Sequence, residues 1–271
     1  MKTGADIKNL YTPVQPSLKK SVEQVTYQEF LPAERLQNLV YCYWELKSNL
    51  PLSRSFHYTV VADGCIDIFF ELTNPQENFV MGFSKKFTEF PLGSSFNYFG
   101  IRFLPAAFPQ LFKVDASELS DRFENLDLVL PGTSLFIEEN FHPSSDPLDI
   151  KNRLDQHFLK ILDKNKLLAD PRLLHAIDII IKNSGVLNIE KDLDTGLSPR
   201  QLRRLFEFYI GDSAKTFSKI VRFQGLLNTR PTAQIMRREK LFFDMGYFDQ
   251  AHFIKDFKTF YGITPGQAFA K

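Results

Sequence analysis

Apolar positions follow two different periods along this chain. Between Gln37 and Phe103 they form short runs rich in Val, Ile, Phe, Tyr and Trp, namely QNLVYCYWELK, SFHYTVV, CIDIFFEL, FVMGF and SFNYFGIRF. Turn-forming residues separate these runs at Asn49-Leu50-Pro51, Asp63-Gly64, Asn74-Pro75 and Leu92-Gly93-Ser94. Short strands at this spacing predict an antiparallel β barrel or sandwich.

The period then becomes helical in three segments, PAAFPQLFKV, ASELSDRFENL and DPLDIKNRLDQHFLKILDK. In the last segment one face at helical spacing is apolar, formed by Ile150, Leu154, Phe158, Ile161 and Leu162. A polar stretch over 163–170 precedes a new helix start, so we predict a two-domain α+β fold. A β-rich N-terminal domain with trailing helices would occupy residues 1–168, and an all-α domain residues 169–271.

One helical unit occurs twice in the C-terminal segment. In GLSPRQLRRLFEFYIG, Ser198 is a predicted N-cap, Pro199 suits the first helical position and Gln201 completes a capping box. At an offset of 51 residues, MGYFDQAHFIKDFKTFYGITPGQAF repeats this pattern with Asp249 as the cap. A helix from about residue 216 to 227 would join the copies, which predicts two tandem helix-turn-helix units.

Two such units joined by one helix suit DNA recognition, because each second helix can enter one of two successive major grooves, which lie about 34 Å apart. Arg pairs with guanine edges, Gln with adenine, and Lys with phosphate or guanine. An isolated RQLRR is more simply a solvated helix face, but the recurrence of cap, helix length and turn favours recognition. The predicted DNA-binding residues are Ser198, Arg200, Gln201, Arg203 and Arg204 in the first unit, and Asp249, Gln250, His252 and Lys255 in the second.

Charge agrees with this division of the chain. Residues 170–271 hold 16 Lys and Arg against 11 Asp and Glu, a net of +5, whereas residues 1–169 hold 17 against 21. Such asymmetry is typical of a basic module attached to a non-basic one. Apolar residues at 44% and charged residues at 24% are ordinary for a globular protein and exclude disordered, collagen-like and coiled-coil classes.

The two cysteines and the N-terminus indicate a compartment. Cys42 and Cys65 lack CxxC spacing and lie in apolar runs, which favours buried, reduced thiols over a zinc site or a disulfide. The segment MKTGADIKNLYTPVQPSLKK has no apolar core of a signal peptide, and no run approaches the ~20 apolar residues that span a bilayer. We therefore expect a cytoplasmic protein with no membrane partner.

The repeated segment closely resembles the DNA-binding domain of AraC/XylS-type transcription regulators. Its GY-x-DQ-x-HF-x-x-x-F and G-x-TP match the C-terminal signature of that family. In the N-terminal half, VADGCIDIFFEL, VMGF and FGIRFLPAAF resemble the P-DG-C-x-D-L, V-x-G and G-x-R-x-x-P-x-A segments of a sensor-type domain found in some of these regulators. The resemblance implies a cupin-like N-terminal β-structure and a bacterial, sequence-specific DNA-binding transcription regulator.

The same resemblance implies binding partners, and the sequence of this chain departs from the family pattern in some places. Double-stranded DNA is the expected partner, and RNA polymerase, a small-molecule effector and a second copy of the chain are further candidates. The family usually places a small Ala in the first helix of each unit, but Asp192 and Phe242 stand there in this chain, and Pro231 interrupts the helical pattern of NTRPTAQIMRREK. These departures leave open an alternative, a ligand- or protein-binding module of the same fold with weakened or lost DNA binding.

The β-rich half also contains candidate ligand-binding residues. They are the aromatic residues Trp44, Tyr58, Phe69 and Tyr98 and the polar residues His57, Asp67 and Arg102 on otherwise apolar strands. The alternatives are that the rings are ordinary core, and that Asp67 and Arg102 pair with each other or face solvent.

Catalysis is not predicted. No two of the five histidines form an HxH or HxxxH pair, so the metal site of a cupin enzyme is not expected. No GxSxG, P-loop or GxGxxG motif occurs either. We predict neither catalytic residues nor a metal nor a cofactor, and a cupin-type enzyme is the third alternative.

Overall fold

The computed structural model describes residues 7–16, 24–167, 169–229, 231 and 241–269. Its strands are β1 (Val25–Phe30), β2 (Val40–Ser48), β3 (His57–Val60), β4 (Ile66–Glu71), β5 (Asn74–Met81), β6 (Thr88–Pro91), β7 (Asn97–Phe103) and β8 (Phe123–Asn125). Its α-helices are α1 (Ile7–Leu10), α2 (Ala107–Phe112), α3 (Leu126–Val129), α4 (Pro131–Asn140), α5 (Pro147–Lys164), α6 (Pro171–Lys182), α7 (Ile189–Asp192), α8 (Pro199–Ile210), α9 (Ala214–Thr229), α10 (Leu241–Asp244), α11 (Gln250–Tyr261) and α12 (Pro265–Ala268).

The strands of the N-terminal part form two antiparallel sheets. Six strands pair in the order β1-β2-β7-β4-β5-β8, and β3 pairs with β6. The described residues after α5 are helical or irregular. The predicted α+β fold, with an antiparallel β-rich N-terminal part and a helical C-terminal part, is thus confirmed.

Three local predictions differ from the structure. The second half of the helix predicted over ASELSDRFENL is wrong, because a 3-10 turn at Ala116–Leu119 is followed by β8, which pairs with β5. Asn74 and Pro75 belong to β5 rather than separating two strands, since the turn lies two positions earlier, at Leu72-Thr73. β1 and β6 were not predicted, because their half-exposed residues form no continuous apolar run.

Strand alternation gives the six-stranded sheet two different faces. Ile68 and Phe70 of β4 and Ile101 of β7 lie in a large hydrophobic core with the helices. The opposite face carries a smaller cluster that includes Trp44 and Tyr58. Successive side chains of a strand point to opposite faces, so one short sequence builds both layers.

The two predicted helix-turn-helix repeats have matching second helices. α8 and α11 are each 12 residues long and begin at the predicted caps, Ser198 and Asp249. Both end at a glycine in the left-handed region, Gly211 at φ 106° and Gly262 at φ 94°. Only glycine takes this conformation without steric cost, so the repeat fixes both ends of each helix.

The C-terminal part packs directly on the β-rich part. Gln224 of α9 is buried and donates from Nε2 to the carbonyl of Ala62 at 2.8 Å. The backbone N–H groups of Ala62 and Phe87 donate to the carbonyls of Phe260 and Thr259, in the last turn of α11. One hydrophobic core runs through both parts, and the domain boundary at residue 168 stays a prediction.

Candidate DNA-recognition surface and ligand cavity

The outward face of α8 is cationic. Arg200, Arg203 and Arg204 are all exposed, whereas Phe206 and Ile210 of the same helix are buried in the core. Arg203 pairs with Glu207, Nε to Oε1 at 2.7 Å, and its side chain is 74% exposed. Arg200 and Arg204 have no carboxylate partner within the described part of the chain, so both guanidinium groups are available to an external anion.

Ser198 and Gln201 hold the start of this helix. The backbone N–H and the hydroxyl of Ser198 both lie 3.0 Å from Oε1 of Gln201, and the N–H of Gln201 donates to Oγ of Ser198 at 3.3 Å. This is the predicted capping box. The two side chains are exposed but already bonded to each other, so their structural contribution is to orient the N-terminus of α8.

The outward face of α11 is also basic. Gln250, Lys255 and Lys258 are exposed, and Asp249 caps the helix by accepting from the N–H of His252 at 2.7 Å. Lys258 was not among the predicted DNA-binding residues, although it lies three positions after Lys255 and therefore on the same helical face.

His252 differs from its exposed neighbours on α11. Its ring lies edge-on to Tyr247 with centroids 5.4 Å apart, and Nε2 lies 3.4 Å from Oδ2 of Asp256. The side chain is 41% exposed. His252 therefore contributes to packing at the start of α11 as well as to its surface.

Two side chains of α9 position the second unit. The guanidinium of Arg222 donates to the carbonyl of Gly185 at 2.8 Å and to that of Gly246 at 3.2 Å, and it lies 5.1 Å from the ring centroid of Tyr247. Nζ of Lys219 lies 3.2 Å from Oδ2 of Asp256 on α11. Neither residue was predicted from the sequence, because their partners lie in distant segments of the chain.

The two departures from the family pattern occupy different environments. Asp192 is exposed at the end of α7, and its carboxylate accepts from the backbone N–H of Asn188, the N-cap of that helix, at 2.7 Å. The half-buried ring of Phe242 is stacked on Phe253 of α11, with centroids 6.4 Å apart. Pro231 is described, but the segment 232–240 that follows it lies outside the described residues.

A cavity of about 200 Å³ lies between the two sheets. Its floor is the face of the large sheet opposite the helices, and β3 and β6 contribute the other side. The cavity brings together six of the seven predicted ligand-binding residues: Trp44, Tyr58, Asp67, Phe69, Tyr98 and Arg102. His57 is not among the lining residues; its ring is exposed, with Nδ1 3.6 Å from Oε1 of Glu89.

A buried charge cluster forms the polar end of this cavity. Asp67 and Arg102 are direct cross-strand partners, and Asp67 accepts from Nε at 3.2 Å and from Nη2 at 2.9 Å. Asp63 lies 3.5 Å from Nε of Arg102 and accepts from Gln15 at 2.7 Å. Asp67 and Arg102 thus pair with each other, one of the two alternatives left open by the sequence.

Trp44 completes the cluster. Its Nε1 donates to Oδ2 of Asp67 at 3.2 Å. Gly100 lies between Trp44 and Phe69 in the register of the sheet, and a Cβ there would meet the indole at 2.1 Å. The absence of a side chain at Gly100 therefore lets the indole lie across the sheet and reach the carboxylate.

Electrostatics at Asp67 are unusual. Burial raises the pKa of Asp67 to about 6, Arg102 opposes this shift, and the nearby charge of Asp63 adds to it. Burial likewise raises the pKa of the thiols of Cys42 and Cys65, which are free. These two thiols are therefore buried and protonated.

Several lining residues were not predicted. Asp63 was interpreted only as part of a turn, and Phe123 as part of a helix, yet both line the cavity with Phe79 and Phe90. The alternation of β5 could have indicated Phe79; the position of Phe123 depends on β8. Within the described residues, no group of three or more His, Cys, Asp or Glu is arranged to hold a metal ion, and no described helix is suited by length and hydropathy to cross a membrane.

Comparisons with known proteins place the C-terminal part in a class. Residues 194–271 match the family model described as "Helix-turn-helix domain", and residues 28–125 match the model described as "Domain of unknown function (DUF6597)". The chain therefore carries the DNA-binding domain of a transcription regulator. That domain is of the AraC type, as the sequence predicted. A comparison with curated protein sequences gives no match.

Solved structures of ToxT from Vibrio cholerae are similar to this chain at low identity. One from strain O395 is 11% identical, with a TM-score of 0.43, over 92% of this chain and 98% of that chain. Another, bound to (E)-4-(8-methylnaphthalen-1-yl)but-3-enoic acid, is 11% identical with a TM-score of 0.39, over 91% of this chain and 98% of that chain.

Proposed function

We propose that the protein regulates transcription by inserting α8 and α11 into successive major grooves of its target DNA, and that a small molecule in the N-terminal cavity changes its DNA affinity. The observation that carries the DNA proposal is the pair of capped 12-residue helices with exposed cationic faces. An uncompensated Arg or Lys on such a face supplies both base readout and phosphate contacts.

The matching helix ends support simultaneous docking of both units. Each second helix has its N-terminus fixed by a side-chain cap and its C-terminus by a glycine. α9 joins them over 16 residues, which at 1.5 Å per residue corresponds to about 24 Å along the helix. With the bodies of the two units added, this length suits the spacing of successive grooves.

The segment 61–63 supports modulation by a ligand. Val61 and Asp63 line the cavity, while Ala62 between them bonds to Gln224 of α9 and to the carbonyl of Phe260 in α11. A ligand that shifts this segment therefore acts directly on the connecting helix and on the second recognition helix. Homodimerisation and contact with RNA polymerase stay predictions.

The test measures binding of the full chain to the DNA upstream of its own gene by fluorescence anisotropy across a salt series. Neutralisation of Z phosphates gives a log–log slope near −0.9Z. Arg203→Ala should cost about 1–3 kcal/mol on the cognate site and little on random DNA, whereas Lys255→Ala should weaken binding to all sequences.

Arg153→Ala is a matched control for Arg203→Ala. Both arginines are exposed and each pairs with a carboxylate on its own helix, Arg153 with Asp149 at 2.8 Å, but Arg153 lies on α5. The control should leave DNA binding unchanged. Absence of binding by the wild-type chain at about 50 mM salt, where electrostatic affinity is high, would instead favour the binding module without DNA recognition.

A further inference from the structure

We propose that the N-terminal cavity selects a small organic cation, an ammonium group carried on an apolar or aromatic body. This inference rests on the proposed role of the cavity as a ligand site and adds the chemical class of the ligand. It follows from the charges that line the cavity, from the ion pairs made by Arg102, and from the aromatic rings around the cavity.

The lining charges are predominantly negative. Asp63, Asp67 and Glu77 line the cavity, and Arg102 is the one Lys or Arg among the lining residues that the structure describes. Asp63 and Asp67 are largely buried at the polar end, while Glu77 is exposed. A charged group inside a protein is stable only when it is paired, so a site with excess carboxylate favours a cation.

Arg102 is not free to bind an anion. Its Nε and Nη2 both donate to Asp67, and Nε lies within 3.5 Å of Asp63. The guanidinium side chain is only 2% exposed. A carboxylate or phosphate ligand would have to displace Asp67 from this bidentate pair and would then lie beside two carboxylates.

Aromatic rings surround the rest of the cavity. Phe69 lies at their centre, with ring centroids 6.1 Å from Trp44, 6.2 Å from Phe90 and 5.5 Å from Phe123. Phe79 and Phe123 are stacked at 4.4 Å. Aromatic faces attract cations through the ring quadrupole, by about 0.5–2 kcal/mol, and aromatic cages with a nearby carboxylate bind ammonium groups.

The size and the protonation of the site agree with this ligand class. A cavity of about 200 Å³ is smaller than the roughly 300–1,000 Å³ of drug-sized sites, which limits the ligand to a small molecule. Burial and the charge of Asp63 raise the pKa of Asp67, and a bound cation would reverse that shift by compensating both carboxylates.

Trp44 makes the proposal directly testable. It is the one tryptophan in the chain and it lines the cavity, so its fluorescence reports occupancy of this site. We would titrate the full chain at pH 7.5 with 2-phenylethylammonium, 2-phenylethanol and 3-phenylpropionate, which share a phenyl group and differ in charge. The cation should bind about tenfold tighter than the other two, the factor that about 1.4 kcal/mol supplies.

Two variants locate the selectivity. Asp67→Asn removes one negative charge while keeping an oxygen for Arg102, so the preference for the cation should fall to less than about threefold. Asp149→Asn removes an exposed carboxylate on α5 and should leave the preference unchanged. If circular dichroism shows that Asp67→Asn does not fold, Phe69→Leu serves instead. Loss of the central ring should weaken binding of the cation more than binding of the alcohol.

The proposal is overturned if 3-phenylpropionate or 2-phenylethanol binds as tightly as the cation. It is also overturned if no probe changes the fluorescence up to about 10 mM, a concentration well above a dissociation constant of about 1 mM. DNA anisotropy with each probe separates the two proposals. If the cation binds without changing DNA affinity, the effector role fails and the ligand class stands. If the anion binds and changes DNA affinity, the effector role stands and the ligand class fails.

Discussion

Replacing Gln224 by Ala removes one side chain that ties three distant segments of the chain together. Its Oε1 accepts from the backbone N–H of Val14 at 2.7 Å, and its Nε2 donates to the carbonyl of Ala62 at 2.8 Å. A third, longer contact joins Nε2 to the carbonyl of Val14 at 3.4 Å. Gln224 itself lies on α9, so these hydrogen bonds link α9 to the N-terminal segment and to the wall of the cavity.

The cost of this change follows from burial. Gln224 is 1% exposed and Ala62 is fully buried, so truncation leaves the N–H of Val14 and the carbonyl of Ala62 without partners in the core. Each unsatisfied buried group costs about 1–3 kcal/mol. Water entering the vacated space can satisfy part of this loss. We therefore expect the free energy of unfolding to fall by about 2–4 kcal/mol.

Urea unfolding followed by Trp44 fluorescence and by far-ultraviolet circular dichroism measures this loss. Gln156→Ala, at an exposed position of α5, is the control and should change stability by less than about 0.5 kcal/mol. A loss below about 1 kcal/mol for Gln224→Ala would show that these hydrogen bonds do not hold the two parts together. The proposed coupling of the segment 61–63 to α9 would then be refuted as well.

Three further predictions concern packing and pH. Phe242→Ala removes a half-buried ring stacked on Phe253, so the free energy of unfolding should fall by about 1–3 kcal/mol. A raised melting temperature would instead indicate that the ring of Phe242 overpacks its contact with α11. Arg222→Lys removes the guanidinium group that donates to two backbone carbonyls, so this variant should have a lower melting temperature and weaker DNA binding. Unchanged values of both would refute the bridging role of Arg222. Burial against Phe136, with Lys160 nearby, lowers the pKa of His157 to about 4. As the pH falls, the imidazole is therefore protonated in the unfolded chain before it is protonated in the folded one, and the free energy of unfolding should fall between about pH 6.5 and 4. His157→Gln should flatten the dependence of the urea midpoint on pH in this range, and an unchanged dependence would contradict the prediction.

Some of the fold and of the site follows from local sequence rules. The period of two places Asp67 and Phe69 on one face of β4, and Tyr98 and Arg102 on one face of β7. The same rule could have excluded His57, because adjacent residues of a strand point to opposite faces and Tyr58 faces the cavity. The caps and glycines of α8 and α11 are likewise local signals, since a few neighbouring residues decide where a helix begins and ends.

The sequence by itself therefore determined strands β2, β3, β4, β5 and β7, the repeated helical unit, its basic outward face and most of the aromatic floor of the cavity. Only the tertiary structure decided which charges meet. The register of β4 and β7 places Arg102 opposite Asp67, and chain packing brings Asp63 beside them and joins Gln224 to Val14 and Ala62. Periodicity specifies the face on which a side chain lies, whereas contacts between distant segments depend on strand pairing and on how the elements pack.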